Sequence, residues 1–179
     1  MRQTLLHQAL RLHPDSLCAA ATRIEADVAR PRPGNLILSY VVSGRISDLR
    51  WPPVVAVERA DELWRRTCFE AFVRPSTGSA YYEFNFSPST QWAAYRFDSY
   101  RSGMRVATEI GAPRIEVRSS AETYSLQATL EFDGVSSPLY LGLSAVLEET
   151  DGRKSYWALA HPPGKADFHH ADCFALELS

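Results

Sequence analysis

WRRTCFEAFVRPSTGSAYYEFNFSPSTQWAAYRFDSY, residues 64–100, is the stretch that decides the fold. It holds 11 of the chain's 20 aromatic residues, where an even spread would put about 4. Two turn signals divide it, Pro75-Ser76-Thr77-Gly78 and Ser87-Pro88-Ser89-Thr90. The divisions leave Thr67–Val73, Ala80–Phe86 and Gln91–Phe97 as three consecutive antiparallel strands. Side chains alternate between the faces of a sheet with period two. Pairing Val73 with Ala80 and Phe86 with Gln91 gives one apolar face of Phe69, Ala71, Val73, Tyr82, Phe84, Phe86, Ala93, Tyr95 and Phe97. That face is expected to be core.

The opposite face then carries Arg66, Cys68, Glu70, Phe72, Tyr81, Glu83, Asn85, Trp92 and Arg96. This register puts Glu70 opposite Glu83, and Asn85 opposite Trp92. Two facing carboxylates are destabilising unless a cation lies between them, and Arg66 and Arg96 are placed to supply it. The face reads in two ways. It is a covered sheet face held by a Glu–Arg network, or it is a seat for a polar ligand. Carboxylates and guanidinium groups hydrogen-bond hydroxyls at two points, and Trp92 or Trp64 would offer a platform for the CH face of a sugar ring.

Outward from this stretch the chain continues to read as strands. Residues 20–28 alternate, Asn35–Gly44 is a near-continuous apolar run suited to a central strand, and residues 114–118, 123–132, 139–148, 156–160 and 174–178 follow. Asp133-Gly134 and Asp151-Gly152 are turn signals. Arg59–Arg65 has room for one or two helical turns, and Met1–His13 is expected as an edge strand or an arm. Many short strands with regular turns predict an all-β protein with little helix, an antiparallel β-sandwich forming a single domain over residues 1–179.

Hydrophobic residues make up 45% of the 179 and charged residues 22%, with a net charge of −2. That balance gives no electrostatic case for nucleic acid or an anionic membrane. No apolar run approaches the roughly 20 residues that span a bilayer. The first residues lack the continuous apolar core of a secretory signal. Three cysteines, Cys18, Cys68 and Cys173, cannot all pair within one chain and have no CxxC spacing, so free thiols and a cytoplasmic location are expected.

DELWRRTCFEAFVRP followed by YYEFNFSPSTQWAAYRFDSY resembles the DOMON-like β-sandwich proteins related to family 9 carbohydrate-binding modules. The matching residues are Leu63, Trp64, Glu70, Phe72, Tyr82, Glu83, Phe84, Ser87 and Pro88, and the resemblance is strongest over residues 58–104. The later HPPGKADFHHADCF looks like a feature of the small bacterial DOMON-like group. The resemblance implies a jelly-roll-like sandwich that binds sugars or, in some members, haem. It implies a terminal sugar held between two tryptophans with acids, amides and arginine reading its hydroxyls. Trp64, Arg66, Glu70, Glu83 and Asn85 fall at or beside the matching motifs, and Trp92 and Trp157 are the candidates for the second tryptophan. The acidic pair usual after the tryptophan is replaced here by Arg65-Arg66-Thr67.

The segment from His161 to Cys173 gathers three of the five histidines. It is expected to be a rigid loop at the end of a strand, where binding groups commonly sit. His161, Lys165 and His169 are the candidates to help line a pocket over the Glu70–Glu83 face, with a purely structural turn as the alternative. The spacing matches no standard zinc signature, and no CxxCH haem motif is present, so neither metal nor cofactor is expected. No G-x-S-x-G, P-loop, HExxH or G-x-G-x-x-G occurs. Arg66 and Arg96 beside the two glutamates would lower both pKa values, whereas a general acid needs one raised. The sequence therefore predicts non-catalytic binding of a small polyhydroxylated ligand, such as a sugar or cell-wall precursor. The alternatives are a protein-interaction module and, third, a hydrolase.

Overall fold

The computed structural model describes residues 5–132 and 138–179; the Asp133-Gly134 turn signal lies outside them. Among the described residues twelve strands form two antiparallel sheets that face each other across one core. They are β1 (Leu5–Leu12), β2 (Ala21–Ala29), β3 (Asn35–Gly44), β4 (Cys68–Pro75), β5 (Tyr81–Phe86), β6 (Trp92–Phe97), β7 (Arg105–Val106), β8 (Arg114–Ser119), β9 (Thr123–Glu131), β10 (Leu139–Glu148), β11 (Lys154–Ala158) and β12 (Leu176–Leu178). One sheet runs β1-β2-β3-β9-β8, and the other runs β7-β6-β5-β4-β10-β11 with β12 also beside β10. The all-β class read from the sequence is the class observed. Helix is confined among the described residues to three 3₁₀ turns, at Ile46–Asp48, Leu63–Arg65 and Ala171–Cys173. Only the second falls within the segment expected to be helical. No helix among the described residues is long and apolar enough to cross a membrane.

The core follows from alternation. Ile24, Ala26 and Val28 of β2, and Leu36, Leu38, Tyr40 and Val42 of β3, point inward from one sheet. Phe69, Ala71, Val73, Phe84, Phe86 and the inward side chains of β10 meet them from the other. Burial of such side chains contributes roughly 1.5–3 kcal/mol each. Tyr40 brings a hydroxyl into this core, and it donates to the Glu70 carbonyl at 2.8 Å. That bond ties the two sheets together and holds β4 at a set height over β3. The first strand is not the edge strand or arm expected. Leu5–Leu10 pair with β2, while Arg11 and Leu12 pair with β11, so β1 closes the seam between the sheets.

β4, β5 and β6 are buried on both faces. A second apolar cluster of Phe72, Tyr81, Ala93, Tyr95, Phe97 and Phe174 covers their outer side, with Leu63, Tyr140 and Phe168 against it. This explains why Cys68–Val73 shows no solvent-facing alternation. The loop from His161 to Phe174 supplies the cover.

The register differs from the expected one at both hairpins. Val73 pairs with Tyr82 rather than Ala80. That shift of two residues keeps every side chain on its expected face but sets Glu70 opposite Asn85 instead of Glu83. Phe86 pairs with Trp92 rather than Gln91. That shift of one residue turns the whole of β6 over. Trp92 joins the inner core, Arg96 moves to the inner side with it, and Ala93, Tyr95 and Phe97 move to the outer face. The cause is Thr90, whose φ of 70° lies in the left-handed region. Ser87-Pro88-Ser89-Thr90 closes a turn through Thr90 N–H to the Ser87 carbonyl, and Thr90 then adds a bulge before Gln91. Glycine is the usual residue there. Threonine holds the position with its Oγ1 donating to the Val55 carbonyl at 2.9 Å.

Candidate functional site

Period two on the observed register lays a row of polar side chains across the outer face. Asn85 of β5, Glu70 of β4 and Ser144 of β10 stand opposite one another, and all three are buried. Glu83 lies one step along β5. Glu70 and Glu83 open into a cavity of about 490 Å³. Tyr95, Phe97, Tyr156 and Phe168 form apolar walls, and Arg101 and His169 add polar ones. Trp64 and Met104, both about half exposed at 49% and 57%, mark its mouth. The terminal loop contributes Ala166, Phe168 and His169. It forms one side of the cavity without filling it.

The two carboxyls differ in their surroundings. No hydrogen bond or ion pair among the described residues reaches the Glu70 carboxyl. Burial, and then the charge of Glu83, push its pKa well above the usual carboxylate range. Glu83 is also raised by burial, but it accepts from Asn85 Nδ2 at 3.0 Å and feels the Arg101 guanidinium, both of which favour its charged form. Both carboxyls are thus pushed toward their protonated forms, Glu70 more strongly than Glu83. Two polar atoms flanking Glu70, Asn85 Oδ1 and Ser144 Oγ, have no hydrogen-bond partner.

His169 is oriented by a chain of hydrogen bonds. The Arg101 amide donates to the Tyr81 hydroxyl at 3.2 Å, and that hydroxyl lies 2.8 Å from His169 Nδ1. The other ring nitrogen, Nε2, faces Glu83 Oε2 at 3.6 Å. Burial, and then the Arg101 charge, lower the imidazole pKa to about 4, so the ring is neutral across the physiological range. Arg101 occupies the left-handed region at φ 52°. Its guanidinium is turned to Asp167 at 2.7 Å, and Tyr100 donates to the same carboxylate.

Several residues expected at this site lie elsewhere. Trp92 is a core residue under the Arg59 guanidinium, which sits 4.1 Å from its ring. Trp157 is in the same core and donates to Ser155. Arg66 is exposed and points to Glu148 at 3.8 Å, and Arg96 faces Glu109. Neither arginine lies between the glutamates, so the argument that they lower both pKa values fails, and both are raised instead. His161 lies against the Arg11 carbonyl at 2.7 Å and forms an edge contact with His13. Lys165 is exposed and away from the cavity. Trp64, Glu70, Glu83 and His169 do meet at the cavity, with Asn85 beside them. Arg101, Tyr95 and Tyr156 were missed: Arg101 sits in a connection with no motif, and Tyr95 was assigned to the other face by the one-residue slip. Among the described residues no three His, Cys, Asp or Glu side chains converge to hold a metal ion.

No family model and no curated protein matches the chain. Solved structures do resemble it. A "putative carbohydrate-binding protein" from Bacteroides uniformis superposes with a TM-score of 0.65 at 13% identity, over 94% of this chain and 84% of the other. A family 9 carbohydrate-binding module from Caldicellulosiruptor kristjanssonii, in complex with cellotriose, gives 0.49 at 11% identity over 89% and 75%. At these identities the likeness is one of fold.

Proposed function

We propose that the chain binds a small polyhydroxylated molecule, a sugar or sugar-like precursor, in the cavity over Glu70 and Glu83. The observation that carries this reading is the Glu70 carboxyl, buried in the cavity wall with no hydrogen bond or ion pair among the described residues and flanked by two unpartnered polar atoms, Asn85 Oδ1 and Ser144 Oγ. Buried polar groups are normally satisfied, and leaving each unpaired costs about 1–3 kcal/mol. Ligand hydroxyls, which both donate and accept, would satisfy the Glu70 and Glu83 carboxyls together with Asn85 Oδ1 and Ser144 Oγ. The aromatic walls suit the apolar faces of a pyranose, with exposed Trp64 as the platform at the mouth. The sugar-binding character in the names of the fold's neighbours agrees with this reading, as does the motif resemblance around Trp64, Glu70 and Glu83.

Calorimetry against a panel of mono- and disaccharides tests it. A sugar that binds the wild type and is lost in Glu83→Ala and Trp64→Ala, both still folded, supports it. Failure of every sugar to bind removes it. Two carboxyls with raised pKa values on one cavity favour a second reading, glycoside hydrolysis, in which Glu70 donates a proton to the leaving oxygen. Turnover of aryl glycosides, abolished by Glu70→Gln, would establish that reading over simple binding.

A further inference from the structure

A second cavity of about 330 Å³ lies on the same sheet face, beyond His169. Arg74 lines it, together with Tyr100, His170 and Phe174. Arg74 stands on β4 four residues from Glu70 and therefore on the same face. The His169 ring packs at 4.9 Å on Phe72, which lies between them on the strand, and His169 lines both cavities.

The Arg74 guanidinium is held by rings rather than by acids. Its Cζ lies 5.2 Å from the Phe174 ring and 5.6 Å from the Tyr140 ring. Its Nε is buried with no hydrogen-bond partner. Among the described residues it makes no ion pair, and no carboxylate lines this cavity. Asp167, the acid just beyond, is already engaged by Arg101 and Tyr100. A partly desolvated guanidinium backed by aromatic faces keeps a planar fork of donors with no acceptor, the arrangement that recognises carboxylate and phosphate. His170 lines the same cavity; its Nδ1 accepts from the Asp172 amide at 3.2 Å and lies 3.5 Å from the Asp172 carboxylate, so Nε2–H is the donor the ring has to offer.

We propose that the Arg74 cavity is a binding site for a small oxyanion, a carboxylate or phosphate group. The anion is either a free small molecule or a substituent of the molecule in the neighbouring cavity. The second source alone rests on the polyol reading above.

The test uses the full chain, labelled with nitrogen-15, and follows the Arg74 Nε–Hε resonance and the His170 ring resonances at constant ionic strength. Inorganic phosphate and acetate are expected to shift both sets saturably. Arg74→Gln is expected to weaken the saturation at His170 by about tenfold or more, the loss of one charge-assisted contact. Arg74→Lys, which keeps the charge without the fork, should fall between and guards against a folding defect in the glutamine variant. No saturable shift, or one unchanged in Arg74→Gln, overturns the proposal. Calorimetry with glucose, glucuronate and glucose 6-phosphate then identifies the source. A substituent anion makes the charged sugars bind about tenfold tighter than glucose, an advantage lost in Arg74→Gln with glucose unaffected. A free anion leaves the three sugars alike while phosphate still binds. If no sugar binds, the polyol reading falls and the phosphate titration still decides the anion site.

Discussion

At the scale of single residues, the cavity carries two groups whose protonation is shifted in opposite senses to their charge. His169 is neutral in the folded protein with a pKa of about 4, against an ordinary 6.5. The unfolded chain takes up a proton below about 6.5 that the folded chain refuses, so stability is lost as pH falls from 6.5 toward 4. The full effect is on the order of 3 kcal/mol. His169→Gln is expected to flatten that acid decline, measured as urea midpoints from pH 4 to 7. Glu70 has the opposite sign. Its folded pKa is raised above the ordinary 4.5, so the folded chain keeps a proton that the unfolded chain releases. Stability is present below about 4.5 and declines as pH rises toward the folded value. Glu70→Gln, which preserves the neutral shape, should remove that decline and leave the protein equally or more stable at pH 7. The two exposed or buried tryptophans of the aromatic stretch also separate here. Trp92→Ala should cost about 3–5 kcal/mol of stability, whereas Trp64→Ala should leave the urea midpoint within about 0.5 kcal/mol and act on ligand binding.

At the scale of elements, the β5–β6 hairpin shows how one backbone angle governs a face. Thr90→Gly suits φ 70° but loses the bond to the Val55 carbonyl, so stability should change by less than about 1 kcal/mol. Thr90→Pro forbids that angle and removes the amide bonded to Ser87, so it should destabilise by more than about 1 kcal/mol. Amide-proton exchange of β6 would read the loosened pairing directly. The contact between β10 and the terminal loop is equally constrained. A Cβ on Gly142 would lie 2.9 Å from the Cys173 carbonyl oxygen and 3.5 Å from the Phe72 side chain. Gly142→Ala is therefore expected to displace the 171–173 turn and cost about 1–3 kcal/mol, with a lowered melting temperature and altered His169 resonances. The terminal loop was legible as a rigid segment near the site, since proline, glycine and clustered histidines mark it. Which of its histidines meets the cavity was not, because His161, His169 and His170 differ only in where the folded loop turns them.

For the whole molecule, β1 is the seam that makes two sheets one core. Removing residues 1–12 should expose the edges of β2 and β11 and abolish cooperative unfolding, seen as loss of a sigmoidal near-ultraviolet transition with gain of dye binding. That role could not be read from Leu5–Leu12, whose alternation is compatible with an edge strand. The sequence by itself determined the all-β class, the strands and the apolar faces of β4 and β5. It also put Glu70, Glu83 and Asn85 on one sheet face, because period-two alternation survives a register shift of two. Only the tertiary structure decided the rest: the face of β6, the burial of Trp92 and Trp157, and the arrival of Arg101 and His169 beside Glu83. The physical reason is that alternation is local, whereas register rests on a single left-handed residue and burial depends on strands far apart in the chain.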